Sequence, residues 1–161
     1  MLAYLFWHQP AAGAESYERR LADFHERLRA DPPAGFVQSV VFAVDVPWMG
    51  RAYEDWYVVE DWAALGTLNA SAVDESHRPQ HDAVARDAAK GAGAVYRFLE
   101  GDLALEDVGD TQWSAERVGA PDSVDHALWQ RQMVLGPAPE YCLLSRTQGD
   151  VSRVVPPATR S

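Results

Sequence analysis

Lysine is almost missing from this sequence: Lys90 is the only one, and every other cationic side chain is an arginine. No stretch gathers those arginines into a basic run, and 24 acidic against 14 basic residues leave a formal net charge of −10. Nucleic acid and anionic bilayers both favour a positive surface, through counterion release or headgroup attraction, so neither is expected as a partner. Cysteine is as scarce. Cys142 stands alone, which excludes an intrachain disulfide and any zinc site built on paired cysteines. Its setting, Tyr141-Cys142-Leu143-Leu144, reads as a buried strand in which a thiol behaves as a small apolar group. Long apolar runs are lacking too. The opening Met1 to His8 is apolar but short, has no basic leader and soon meets Glu15, Glu18, Arg19 and Arg20, so it does not read as a signal peptide. Nothing is long enough to span a bilayer as a helix, and a cytoplasmic location is the expectation. Equally absent are a phosphate-cradling glycine loop, a nucleophile elbow and a dinucleotide fingerprint.

What is present is an alternation of strand-like and helix-like periods. Leu2 to Gln9 is an apolar run ended by Pro10 and Gly13 and predicts a buried strand. Tyr17, Leu21, Phe24 and Leu28 then fall at helical spacing, with charges on the other face, and Asp31-Pro32-Pro33 stops that helix. Phe36–Val44 and Arg51–Glu60 predict two strands joined across Pro47-Trp48-Met49-Gly50, a connection that demands antiparallel pairing. Asp61 caps a helical turn or two bearing Trp62, Leu65 and Leu68. A further helix is expected from Ser76 to about Lys90, with Gly91 and Gly93 ending it before a strand over Ala94–Leu99. The fold class is α+β: a ferredoxin-like βαββαβ antiparallel sheet with helices on one face, over residues 1–101.

Residues 102–161 form a C-terminal helix–strand extension. Asp122-Ser123 opens a helix through Val124, Leu128 and Met133; Gly136-Pro137 closes it; Tyr141–Ser145 is a strand. No second hairpin is read there, and Pro156-Pro157 suggests an extended arm. The first strand is apolar on both faces, with Leu2, Tyr4 and Phe6 on one and Ala3, Leu5 and Trp7 on the other. A two-sided sheet needs a second cover, supplied by this extension or by the partner in a homodimer.

The segment Asp55-Trp56-Tyr57-Val58-Val59-Glu60-Asp61-Trp62-Ala63-Ala64-Leu65 and the later Val95-Tyr96-Arg97-Phe98 resemble the dimeric α/β-barrel superfamily. The resemblance spans about two thirds of the chain and is one of pattern. It implies a homodimer of opposed sheets and a small-molecule cavity, in a family that includes cofactor-free monooxygenases, isomerases, haem-handling enzymes and proteins without known activity. It implies no particular reaction and no particular cofactor.

Candidate chemistry rests on a few side chains. His8, on the face of Tyr4 and Phe6, suits a general base or proton shuttle because imidazole titrates near neutrality; it could equally be a satisfied histidine at the sheet's end. Strand residues Trp56 and Tyr57, with Tyr4, are candidates for contacting an apolar or aromatic substrate, against the alternative that such aromatics are core and that the strand's carboxylates, Glu54, Asp55 and Glu60, are solvated. In His77-Arg78-Pro79-Gln80-His81, two imidazoles four apart share a helical face and could ligate one metal ion, although no third ligand is set by spacing. His25 and His126 read as structural or solvated.

Overall fold

In the computed structural model the described residues are 1–11, 14–101, 104–117, 126–134, 139–146 and 152–155. The elements run β1 (Leu2–Pro10), α1 (Ala14–Ala30), β2 (Phe36–Val46), β3 (Gly50–Val59), α2 (Trp62–Val73), α3 (Arg78–Ala85), β4 (Ala88–Gly101), β5 (Asp110–Ser114), β6 (His126–Val134), β7 (Tyr141–Ser145) and β8 (Ser152–Val155). The α+β class and the antiparallel sheet are as expected, but the sheet is larger than four strands. Eight strands hydrogen-bond in the order β5-β7-β6-β4-β1-β3-β2-β8, and each pair is antiparallel.

Period-2 alternation divides the side chains of this sheet between two faces. On one, Leu2, Phe36, Tyr57, Val59 and Val95 pack against Phe24 and Leu28 of α1 and Leu68 of α2. The other is an inner face where Leu5, Trp7, Phe42, Trp56, Val58 and Tyr96 meet Trp129, Cys142 and Leu144 of the C-terminal strands. The sheet is curled. Trp113 of β5, at one end of the strand order, lies 5.5 Å from Trp48 of the β2–β3 hairpin and 5.2 Å from Trp7, ring centre to ring centre. The chain's own later strands therefore fill the face that the first hundred residues leave bare.

Three expectations are corrected. The helix expected from Ser76 to Lys90 is only the eight-residue α3, and Lys90 to Gly93 already belong to β4, paired with β1. Gly91 and Gly93 do not end a helix; they make room for rings lying across the strand. A Cβ on Gly91 would stand 2.5 Å from Cζ of Phe6, and one on Gly93 would stand 3.0 Å from the Tyr4 hydroxyl. The helix expected through Leu128 and Met133 is instead strand β6, and its proposed cap, Asp122-Ser123, lies outside the described residues. Ala127-Leu128-Trp129 is too short an apolar run to separate the two periods; the open edge of β4 decides, since a buried edge must find hydrogen-bond partners. Finally, β6 and β7 are consecutive and pair antiparallel, so the extension does contain a hairpin. Pro156-Pro157 also lies outside the described residues. Among the described residues no helix is long and apolar enough to cross a membrane.

Candidate functional site

The site lies between α1 and the sheet. Pairing of β1 with β3 sets Phe6 opposite Asp55 and His8 opposite Tyr53, so even residues of β1 and odd residues of β3 share the helix-facing side. From α1, Tyr17 and His25, eight residues or about two turns apart, both reach that side. All these polar groups are enclosed. His8, Tyr17 and His25 have no exposed surface, and Asp55 is 3% exposed.

They form one hydrogen-bonded chain. His8 Nε2 is 3.0 Å from Asp55 Oδ1, and the Tyr17 hydroxyl is 2.6 Å from His8 Nδ1. A carboxylate only accepts, so it selects the tautomer with the proton on Nε2, leaving Nδ1 to accept from Tyr17. The other carboxylate oxygen accepts from the Tyr57 hydroxyl at 2.8 Å. Tyr57 stacks on His25 and lies 3.3 Å from its Nε2, while His25 Nδ1 is 2.7 Å from Ser39 Oγ. The geometry is that of a base oriented by a buried acid, with a phenol where a hydroxyl nucleophile would otherwise stand.

Burial and charge oppose each other at Asp55 and His25 and act together at the phenols. Burial would raise the Asp55 pKa, but the charge and hydrogen bond of His8, with His25 and Tyr57, hold it below the usual carboxylate range. Burial lowers His25 to about 4, so it is neutral at physiological pH. Burial first, and then the Asp55 charge, raise Tyr17 and Tyr57 well above an ordinary phenol. Tyr53, which donates to Glu18, is pushed up to about 12 by burial and that bond.

On the opposite face of β3 stands a second enclosed acid. Glu54 accepts from the Trp7 indole at one oxygen and from the Trp56 indole at the other, each at 2.7 Å. Burial raises its pKa to about 7, against the lowering effect of the two indole bonds. Of the two readings of the strand-three carboxylates, interior or solvated, Glu54 and Asp55 follow the first: both are buried, because aromatic and imidazole donors on both faces satisfy their oxygens.

Of the residues singled out by sequence, His8, Tyr4 and Tyr57 come together: Tyr4 stacks 6.1 Å from Tyr57. Trp56 does not join them, since it neighbours Tyr57 along the strand and points into the inner core. His77 is buried, with Nδ1 2.6 Å from Ser71 Oγ and 2.9 Å from Ser76 Oγ. His81 is half-buried, 6.0 Å from the Phe24 ring and 3.2 Å from Asp82. Among the described residues no group of three or more His, Cys, Asp or Glu is arranged to hold a metal ion. Tyr17, His25 and Asp55 were missed as site residues. The spacing of Tyr17 and His25 on the apolar face of α1 was the signal for those two, and the alternation of β3, which puts Asp55 on the face of Tyr57, was the signal for the third. His126 lies half-buried on β6.

Compared with known proteins, the chain matches no family model, no curated protein and no solved structure.

Proposed function

We propose that this chain binds a small apolar or aromatic molecule and catalyses proton transfer on it, the step with which isomerisation and cofactor-free oxygenation of such molecules both begin. One observation carries the reading: a fully enclosed Asp55–His8–Tyr17 chain in which the carboxylate orients the imidazole and the imidazole Nδ1 accepts from the phenol oxygen 2.6 Å away. Such a chain moves a proton without bulk water, which is what a general base needs near neutral pH. Tyr4 and Phe6, half-buried aromatic neighbours on β1, supply apolar surface beside it. The homodimer implied by the family resemblance would pair outer surfaces, since the inner face is filled from within the chain.

The test is a screen of small aryl ketones and phenols for binding, followed by measurement of hydrogen–deuterium exchange at their acidic positions. Wild-type protein should accelerate exchange, and His8→Gln should lose about 100-fold or more of that acceleration. Exchange equal in the two proteins removes His8 from the mechanism. No binding and no exchange removes the enzyme reading and leaves the chain a polar network that fixes how α1 sits on the sheet.

A second reading is a metal- or haem-dependent enzyme using His77 and His81. It is favoured by His77 Nε2, which is buried with no hydrogen-bond partner among the described residues while Nδ1 is held by two serine hydroxyls, as outer oxygens hold a ligating imidazole. It ranks second because no third ligand of ordinary type joins the pair among the described residues. Purified untagged protein that neither carries metal nor takes it up on titration eliminates it.

A further inference from the structure

We infer that Tyr17, rather than His8, is the group that exchanges the proton with the bound molecule, and that this molecule is a compact carbonyl or phenolic compound whose negative charge develops on oxygen. The inference rests on the proton-transfer reading above and adds the contact atom and the substrate class. Both nitrogens of His8 are engaged inside the chain, Nε2 by Asp55 and Nδ1 by Tyr17, so the imidazole has no edge left for a ligand. Tyr17 is different. A phenol oxygen donates once and accepts twice, and His8 uses only its donor.

The surroundings of Tyr17 say what that oxygen would meet. Arg20, three residues on along α1, holds its guanidinium 5.9 Å from the centre of the Tyr17 ring. Its terminal nitrogen pairs with Asp87, but its Nε–H is buried without an acceptor among the described residues. A buried donor left unpaired costs about 1–3 kcal/mol and marks a place for a water or a ligand atom. An oxyanion beside Tyr17 is the acceptor this N–H lacks. Asp87 closes the outer end, since its carbonyl also accepts from the Ala11 N–H at 2.8 Å. Helix α3, which leads into it, has no fully buried residue, and its packing rests on half-buried side chains such as Val84 and His81, so this closure is the wall least costly to displace.

The step balances within these residues. The substrate's acidic proton bonds to the Tyr17 oxygen as the phenol's own proton passes to Nδ1 of His8. The electron pair of the broken bond stays on the substrate and spreads onto its oxygen, facing Arg20. The imidazolium so formed is held against the Asp55 carboxylate. The substrate loses one bond to hydrogen, His8 gains one, and Tyr17 exchanges one for another.

The experiment compares wild type, Tyr17→Phe and His8→Gln, each shown folded by near-ultraviolet circular dichroism, in deuterium exchange of enolisable aryl ketones. Both variants should fall about 100-fold or more below wild type. Wild-type exchange by Tyr17→Phe, with His8→Gln inactive, overturns the inference and leaves the proton-transfer reading standing. Wild type no faster than buffer overturns both. A second measurement needs neither turnover nor a variant: 4-nitrophenolate, an unreactive oxyanion, should bind and shift the Arg20 Nε–H resonance. Binding that leaves that resonance unmoved overturns the assignment of Arg20 and of the substrate class.

Discussion

Glu54 and Asp55 are adjacent along β3, yet their carboxyls lie on opposite faces of one sheet, each fully enclosed and each satisfied by a different kind of donor. Glu54 is held by two indoles in the inner core, Asp55 by an imidazole and a phenol under α1. Burial raises the inner carboxyl's pKa to about 7; the outer one is lowered in spite of burial, because the His8 and His25 imidazoles and the Tyr57 hydroxyl favour its charged form.

This arrangement predicts two opposed pH dependences. Glu54 moves from 4.5 unfolded to about 7 folded, so its contribution is fully present below about 4.5 and is lost as pH rises through 7. His25 moves from 6.5 to about 4, so its contribution is fully present above 6.5 and is lost as pH falls through 4. Each is worth about 3 kcal/mol at ~1.4 kcal/mol per pKa unit, and the windows overlap. Urea midpoints of wild type should therefore change little between pH 4.5 and 6.5. Glu54→Gln should become less stable on acidification, and His25→Gln more stable. Identical profiles for all three proteins would contradict the assigned shifts.

The indole bonds to Glu54 are testable as a pair. Trp7→Phe leaves one carboxyl oxygen buried and unpaired, which should cost about 1–3 kcal/mol beyond the loss of ring contacts. In a double-mutant cycle with Glu54→Gln, guanidinium unfolding should show coupling of at least about 0.5 kcal/mol. Strict additivity would mean that the bond contributes nothing.

Two glycine-to-alanine changes should act with opposite sign. A Cβ at Gly91 meets the Phe6 ring at 2.5 Å, and Gly91→Ala should destabilise by about 1–3 kcal/mol, with Phe6→Leu relieving part of the loss. At Gly66, within α2, a Cβ meets nothing within 4 Å among the described residues, and Gly66→Ala should stabilise by about 0.5–1 kcal/mol. Thermal unfolding of both variants checks the contrast.

Cys142 should report on opening of the inner core. It is fully buried, and burial first, then the Glu54 and Asp110 charges, raise its pKa well above an ordinary thiol. Native protein should react with a disulfide reagent orders of magnitude more slowly than unfolded protein, and Trp7→Phe should speed the native reaction. Fast native labelling would show that β7 does not seal this face.

Much of the fold was legible because its signals are local. The strand alternation of Leu2 to Gln9 assigned each side chain to the face it occupies, and Tyr17, Leu21, Phe24 and Leu28 defined the buried side of α1. Asp61 does cap α2, accepting from the Ala64 N–H at 2.9 Å. The errors fell where an element's identity is set by a distant neighbour. Gly91 and Gly93 read as breakers until Phe6 and Tyr4 lay across them, and Ala127-Leu128-Trp129 read as helix until β4 offered an edge. For the candidate site, sequence singled out His8, Tyr4 and Tyr57, but left Asp55 open between interior and solvated and His25 idle, since nothing local says that a strand carboxylate will meet an imidazole.

By itself, then, the sequence determined periods, caps, breaks and which residues share a face, for these follow from the backbone geometry of a few neighbouring residues. Only the tertiary structure decided which polar side chains are shut away from water together. Burial is a property of the whole packed chain: the curl that brings Trp113 to Trp48 also encloses Glu54, and the seating of α1 on the sheet turns His8, Asp55 and Tyr17 from three separate residues into one path for a proton.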